Sequence, residues 1–143
     1  MKTALPTDKR FGLVIAVLLL AGCAAPKVES GDLLSGTRWS LVSFGGSPIL
    51  ASESTSMNFE KGRLSGSDGC NRYSTGYSAA EGRLKIGPNI ASTRMACPAP
   101  IMEEATTFIG MLARTAGFRL DGERMTLLDG SGLPLAALKK TGP

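Results

Sequence analysis

The chain contains no histidine. That absence excludes Ser/His and Cys/His nucleophile–base pairs and every histidine-ligated metal site at once. Aromatic residues are few, with five Phe, two Tyr and one Trp in 143 residues, and charge is close to balanced at 16 Lys+Arg against 12 Asp+Glu. With neither a strong basic excess nor aromatics to stack on bases, no nucleic-acid partner is expected. The longest apolar run, Phe11 to Ala21, has about half of the roughly 20 residues that a membrane-crossing helix needs. Cysteine is limited to Cys23, Cys70 and Cys97, with no C-x-x-C pair, so a four-ligand zinc site and a thioredoxin-type redox centre are both unsupported. What remains is a chain of ordinary globular composition, 43% apolar and 20% charged, of a length suited to one domain.

The first thirty residues read as an address. Lys2, Lys9 and Arg10 precede the apolar run, and small residues follow it, the order of parts in a secretory signal peptide. Leu20-Ala21-Gly22-Cys23 resembles the bacterial lipobox. That resemblance implies a lipoprotein signal peptide at residues 1–22, cleavage after Gly22, and a diacylglyceryl thioether on Cys23 whose new amino group is acylated, typically by palmitate. Several acyl chains at about 0.8 kcal/mol per buried methylene hold a protein on a membrane, where one chain does so only reversibly. Residues 23–33, with Pro26, Gly31 and no apolar periodicity, read as a flexible tether. Ala24, being other than Asp, points by the same resemblance to the outer membrane, with the domain facing the periplasm. An ordinary signal sequence with an incidental cysteine is the blander alternative.

In an oxidising compartment the two remaining cysteines have one intramolecular connectivity, Cys70 to Cys97. A bridge there is expected to contribute roughly 3.5 kcal/mol by restricting the unfolded chain. A nucleophilic role for either thiol lacks a histidine or other base beside it.

From Leu33 the chain reads as short strands punctuated by turns. Arg38–Phe44 precedes Gly45-Gly46-Ser47-Pro48, and Ser56–Glu60 and Arg63–Ser67 flank the hairpin signal Lys61-Gly62. Tyr73–Ser78 is followed by a second hairpin signal, Glu81-Gly82, and by Leu84–Ile86, with a further strand expected at Ile90–Met95. The period then changes. Ile101, Ala105, Phe108, Ile109 and Leu112, with Met102 beside them, recur at helical spacing and predict a helix from Ile101 to Ala116. Glu103 and Glu104 are expected in its first turn, near the positive end of the helix dipole, and Gly117 as its C′ residue. Gly110, costly in mid-helix, suggests a close contact. Phe118–Asp121, Arg124–Asp129 and Leu133–Leu138 complete an antiparallel meander. The expected fold is α+β and mostly β: about eight short strands closing into a small antiparallel barrel-like sheet, which removes exposed edges, with one helix inserted before the last three strands.

Leu34-Ser-Gly-Thr-Arg-Trp-Ser-Leu41, Gly66-Ser-Asp-Gly-Cys-Asn-Arg-Tyr73, Gly76-Tyr77, Ser92-Thr-Arg-Met-Ala-Cys97, and Glu104 with Phe108 resemble the META domain family, whose members include heat-shock lipoproteins of bacterial envelopes (the HslJ-like proteins). The resemblance covers residues 34–140 and implies a barrel of lipocalin-like outline, with no cofactor and no enzymatic activity established for the class. Trp39 is expected to plug one barrel end rather than stack on a ligand, and Asn71 to hydrogen-bond the local corner. Gly66, Gly69 and Gly76 around Cys70 suggest a chain packed close to itself, and they lack the Gly-Lys-Ser/Thr of a phosphate cradle. Glu103 and Glu104, adjacent on a helix, cannot face one another across a bond as glycosidase carboxylates do. Arg72 and Arg94, each beside a half-cystine motif, are candidate surface contacts. The reading is therefore a non-enzymatic envelope lipoprotein that contacts another protein in envelope stress response or assembly. The alternative is a carrier of a small hydrophobic or lipid ligand in the barrel interior.

Overall fold

The structure is a computed structural model that describes residues 31–143. The signal peptide expected at 1–22, the lipidation expected at Cys23 and most of the expected tether therefore lie outside the described residues.

Strand β1 (Arg38–Phe44) turns through Gly45-Gly46 into a two-residue strand, β2 (Ser47–Pro48). β3 (Thr55–Glu60), β4 (Arg63–Asp68) and β5 (Arg72–Ala80) form a meander, followed by β6 (Arg83–Ile86) and a second two-residue strand, β7 (Ala91–Ser92). Helix α1 (Ala99–Arg114) comes next, and β8 (Gly117–Asp121), β9 (Arg124–Leu128) and β10 (Pro134–Gly142) end the chain. The order β10-β9-β8-β6-β5-β4-β3-β1, with β10 pairing back onto β1, closes an eight-stranded antiparallel barrel. β2 adds to β1, and β7 to β5.

Both hairpin signals are realised. Lys61 and Gly62 take φ of 45° and 82°, and Glu81 and Gly82 take 52° and 78°, the paired positive φ that matches strand twist. Alternation then decides what faces inward. Thr55, Met57 and Phe59 of β3, Leu64 and Asp68 of β4, and Tyr73, Thr75 and Tyr77 of β5 are buried, with Gly66 in the same inward register, while the alternate residues face out. The interior is filled by the protein's own side chains. Phe59, Phe108, Leu34, Leu41, Met57, Leu64, Leu84, Met111, Leu112, Met125, Leu127 and Leu138 are all essentially inaccessible.

The registers bring the end of β1, the start of β3, the end of β4 and the start of β5 to one mouth of the barrel. α1 sends Phe108 into this end, its ring 5.4 Å from that of Tyr73 and 6.4 Å from that of Phe44. The opposite mouth is closed by the segment ahead of β1, where Leu34 is buried and Gly36 N donates to Phe59 O at 2.8 Å. Trp39 lies at this second end, buried, with Nε1 donating to Thr37 Oγ1 at 2.7 Å, as expected of an anchor.

Several expectations are corrected. The helix spans Ala99–Arg114, two residues earlier than its periodicity suggested, because Pro98 and Ala99-Pro100 already suit a first turn. Glu103 and Glu104 consequently fall in the second turn. Thr115 ends the helix in extended conformation, so Gly117 is no C′ residue. It opens β8, where a Cβ would lie 3.0 Å from Gly82 O. Gly110 faces open space, not a close contact, and Met102 is exposed while Met111, unremarked in the stripe, is buried. The strand expected at Ile90–Met95 pairs only at Ala91–Ser92, because beyond them the chain is held by side chains and a disulfide instead of a ladder.

Candidate functional site

With the barrel filled, shape and chemistry are concentrated outside it. On the outer face of β3, β4 and β5 lies a hollow of about 770 Å3, lined by Ser56, Asn58, Arg63, Ser65, Ser67, Arg72 and Ser74 and walled on one side by Ala91, Ser92, Thr93 and Met95. The floor is a direct product of register. Ser56 faces Ser67, Asn58 faces Ser65, and Ser65 faces Ser74, so outward positions of three strands stack short polar side chains side by side. No Asp or Glu lines it.

One glycine shapes the hollow from below. A Cβ on Gly66 would lie 2.1 Å from Ser56 O, so only glycine lets that carbonyl turn toward the barrel interior. There it accepts the Tyr73 hydroxyl at 2.9 Å, which satisfies a buried phenol. Burial, with the nearby Asp68 charge adding, pushes the Tyr73 phenol far above its ordinary titration range. Ser56 Oγ in turn accepts from Ser67 N at 3.2 Å.

The wall is clamped at the β4–β5 corner. Gly69 is left-handed at φ 98°, and the buried Asp68 carboxylate accepts from Cys70 N at 2.9 Å and from Asn71 N. Cys70 is joined to Cys97 by a disulfide with Cα atoms 6.0 Å apart, the pairing expected of the two cysteines that follow Cys23. The Asn71 side chain, expected to bond the local corner, does not serve it. Its Oδ1 accepts from Met95 N at 2.7 Å and from Thr93 Oγ1 at 3.3 Å, reaching across because Asp68 already occupies the local donors. Arg72 and Thr93 exchange two further bonds, Arg72 N to Thr93 Oγ1 and Thr93 N to Arg72 O, each 3.0 Å. An exposed segment with only one short strand is thus pinned along its length.

The two arginines singled out by the sequence are both exposed but open onto different hollows. Arg72 lines the one just described. Arg94 lines a second, of about 390 Å3, between residues 90–94 and α1, with Ile90, Met102, Ala105 and Ile109. The partner that shares the first hollow with Arg72 is Arg63, whose guanidinium donates to Ser74 Oγ at 3.2 Å. Sequence reading missed Arg63 and the serines. The signal was present in the polar alternates of Ser56–Glu60 and Arg63–Ser67, once folded about Lys61-Gly62. Glu104 was also misread. Its carboxylate accepts from Leu50 N at 2.6 Å and Ala51 N at 3.1 Å, tying α1 to the loop before β3 instead of decorating a dipole.

The META domain family matches residues 32–142. The chain belongs to the META domain family. Its META domain is similar to a protein whose NMR structure is 28% identical over 74% of this chain and 90% of that one, with a TM-score of 0.58. A protein from Burkholderia xenovorans, also solved by NMR, is 24% identical over 76% of this chain and 84% of its own, at the same TM-score. A duf4847 family protein from Bacteroides vulgatus, 13% identical over 78% and 96%, has a TM-score of 0.57 and shares the fold. No curated protein matches the META domain chain.

Proposed function

We propose that this META domain protein is a non-enzymatic lipoprotein of a bacterial envelope, anchored through Cys23, that recognises another envelope protein with the outside of its barrel. The observation that carries the reading is the division of labour in the fold. The interior is occupied by the protein's own apolar side chains, whereas the outer face of β3–β5 holds a rigidly framed polar hollow. A cargo carrier keeps apolar space inside, in the range of several hundred Å3. A docking module needs a stiff, shaped exterior, which the disulfide and the bonds around Asn71 supply here. The lipobox-like Leu20-Ala21-Gly22-Cys23 supports the lipid anchor, Ala24, being other than Asp, supports the outer membrane, and the family resemblance supports a role in envelope stress or assembly.

Site-specific photo-crosslinking in intact cells tests it, with the reactive residue placed in turn at Ser65, Arg94, Lys85 and Arg119. Reproducible capture of one defined envelope polypeptide from one face, lost when the others are probed, is the expected result. Capture of bulk envelope protein from every face, unchanged under heat or envelope stress, would overturn it. Mass spectrometry of the mature chain beginning at an acylated Cys23 checks the anchor separately.

A further inference from the structure

The geometry assigns the β3–β5 hollow to an extended, acidic polypeptide segment, a more specific claim that rests on the protein-contact reading above. Three observations converge. First, the hollow holds two arginines and no carboxylate. Arg63 stands directly across the hairpin from Glu60, yet its guanidinium turns instead to Ser74 Oγ at 3.2 Å. Among the described residues the ion pair present is Arg83 with Glu81, so neither Arg63 nor Arg72 has its charge answered by a carboxylate.

Second, the arginines are spaced for a strand. Ser67 faces Arg72 and Arg63 faces Gly76, which places Arg63 and Arg72 at diagonal corners of the β4–β5 pair. Four residues along and one strand across is about 14 Å between Cα atoms. An extended chain covers about 13 Å between residues i and i+4, whose side chains point the same way. The guanidiniums extend several Å from these Cα positions, that of Arg63 toward Ser74 on the strand of Arg72, so two carboxylates on one face of an extended chain come within their reach, each able to accept a forked pair of N–H bonds.

Third, the floor between them is built for backbone. Ser65, Ser67 and Ser74 present hydroxyls that donate or accept, and they are too short to obstruct a chain lying across them. Ser67 Oγ already accepts from Gly69 N and Ser74 Oγ from Arg63, each at 3.2 Å, so their O–H groups and the Ser65 hydroxyl are what meet the peptide groups of an extended segment, while the arginines read its acidic side chains.

The test uses the full-length, 15N-labelled protein in detergent micelles, titrated with the peptide acetyl-Glu-Ser-Thr-Ser-Glu-amide at low ionic strength. Amide shifts concentrated at residues 56–74 and 91–95 are expected, weakening as salt rises. An Arg63→Gln/Arg72→Gln variant is expected to bind about fivefold or more weakly, whereas Arg94→Gln leaves binding unchanged. The wild-type shift map needs no variant to fold. Equal binding of the peptide with Lys at both Glu positions, equal loss with Arg94→Gln, or full displacement by an equimolar amount of acetate or inorganic phosphate each overturns the assignment. Crosslinks in cells from Arg94 but not Ser65 would also sink it while leaving the protein-contact reading intact. Absence of specific crosslinks from every face sinks that broader reading instead.

Discussion

Gly66 shows how one missing methyl group can set both a core and a surface. Its absence of a Cβ lets the Ser56 carbonyl turn inward to the Tyr73 hydroxyl, and the same inversion leaves Ser56 Oγ facing Ser67 in the outer hollow. Gly66→Ala forces backbone against backbone, which a flexible side chain cannot relieve, and is expected to cost about 2–3 kcal/mol. Ser65→Ala, one residue away and facing out, should stay within about 0.5 kcal/mol. Guanidinium unfolding midpoints of the two variants check the contrast. Tyr77 supplies a pH signature. Its hydroxyl donates to the Asp32 carboxylate, and burial first, then that bond and charge, push its phenol from 10.0 up to about 12. The unfolded chain therefore releases this proton near pH 10, while the folded chain keeps it. Its contribution is complete below pH 10 and is lost as pH rises from about 10 to about 12. Stability measured across that window should fall, and Tyr77→Phe should make the fall shallower; an unchanged slope would count against the assignment. The glycines around Cys70 marked a close approach, which Gly66 bears out, but the atoms that meet there were not legible, because the Ser56–Tyr73 bond joins two strands across a third.

At the scale of elements, what local chemistry specifies was readable and what distant partners specify was not. Lys61-Gly62 and Glu81-Gly82 carry their turn geometry in two residues, and the helical stripe survives a two-residue shift of its ends. Asn71 and Glu104 could not be read this way, since their partners are 24 and 53–54 residues distant. The same holds for the Ile90–Met95 expectation, in which strand-like composition was replaced by side-chain clamps. Glu104 joins α1 to the loop that enters β3, and so helps fix the lid over one barrel mouth. Glu104→Ala is expected to cost about 1–2 kcal/mol, the scale of charge-assisted bonds to two backbone donors. The more telling readout is local. Amide exchange at Leu50 and Ala51 should quicken well beyond the global change, whereas uniform acceleration would mean the contact adds nothing to the loop's order.

Barrel closure belongs to the whole molecule, and its strength is uneven. β3 and β4 pair along all of Thr55–Glu60, and β1 pairs with β10 from Arg38 to Phe44, joining the two ends of the domain. β6 and β8 meet at one register pair, Arg83 with Gly117, supported by Leu84 N to Ala116 O at 3.1 Å and Phe118 N to Gly82 O at 2.8 Å. This seam falls where α1 interrupts the strand order, and the chain that leaves the helix has two residues, Thr115 and Ala116, in which to rejoin the sheet. Gly117 is there because the strands approach closely, with Gly82 O 3.0 Å from where a Cβ would sit. A ladder so short, at the edge of a helical insertion, should open without global unfolding. In native-state hydrogen exchange the Leu84 and Phe118 amides are expected to exchange through a local opening of lower free energy than amides of β3 and β4. Gly117→Val should lower that opening energy further, at Leu84 and Phe118 first, because the added side chain pushes against the Gly82 carbonyl. Equal protection around the whole circumference would instead mean that the core holds β6 and β8 together and the ladder is incidental. Since the hollow on β3–β5 lies on the strongly paired side of the barrel, opening at this seam should leave its floor in place.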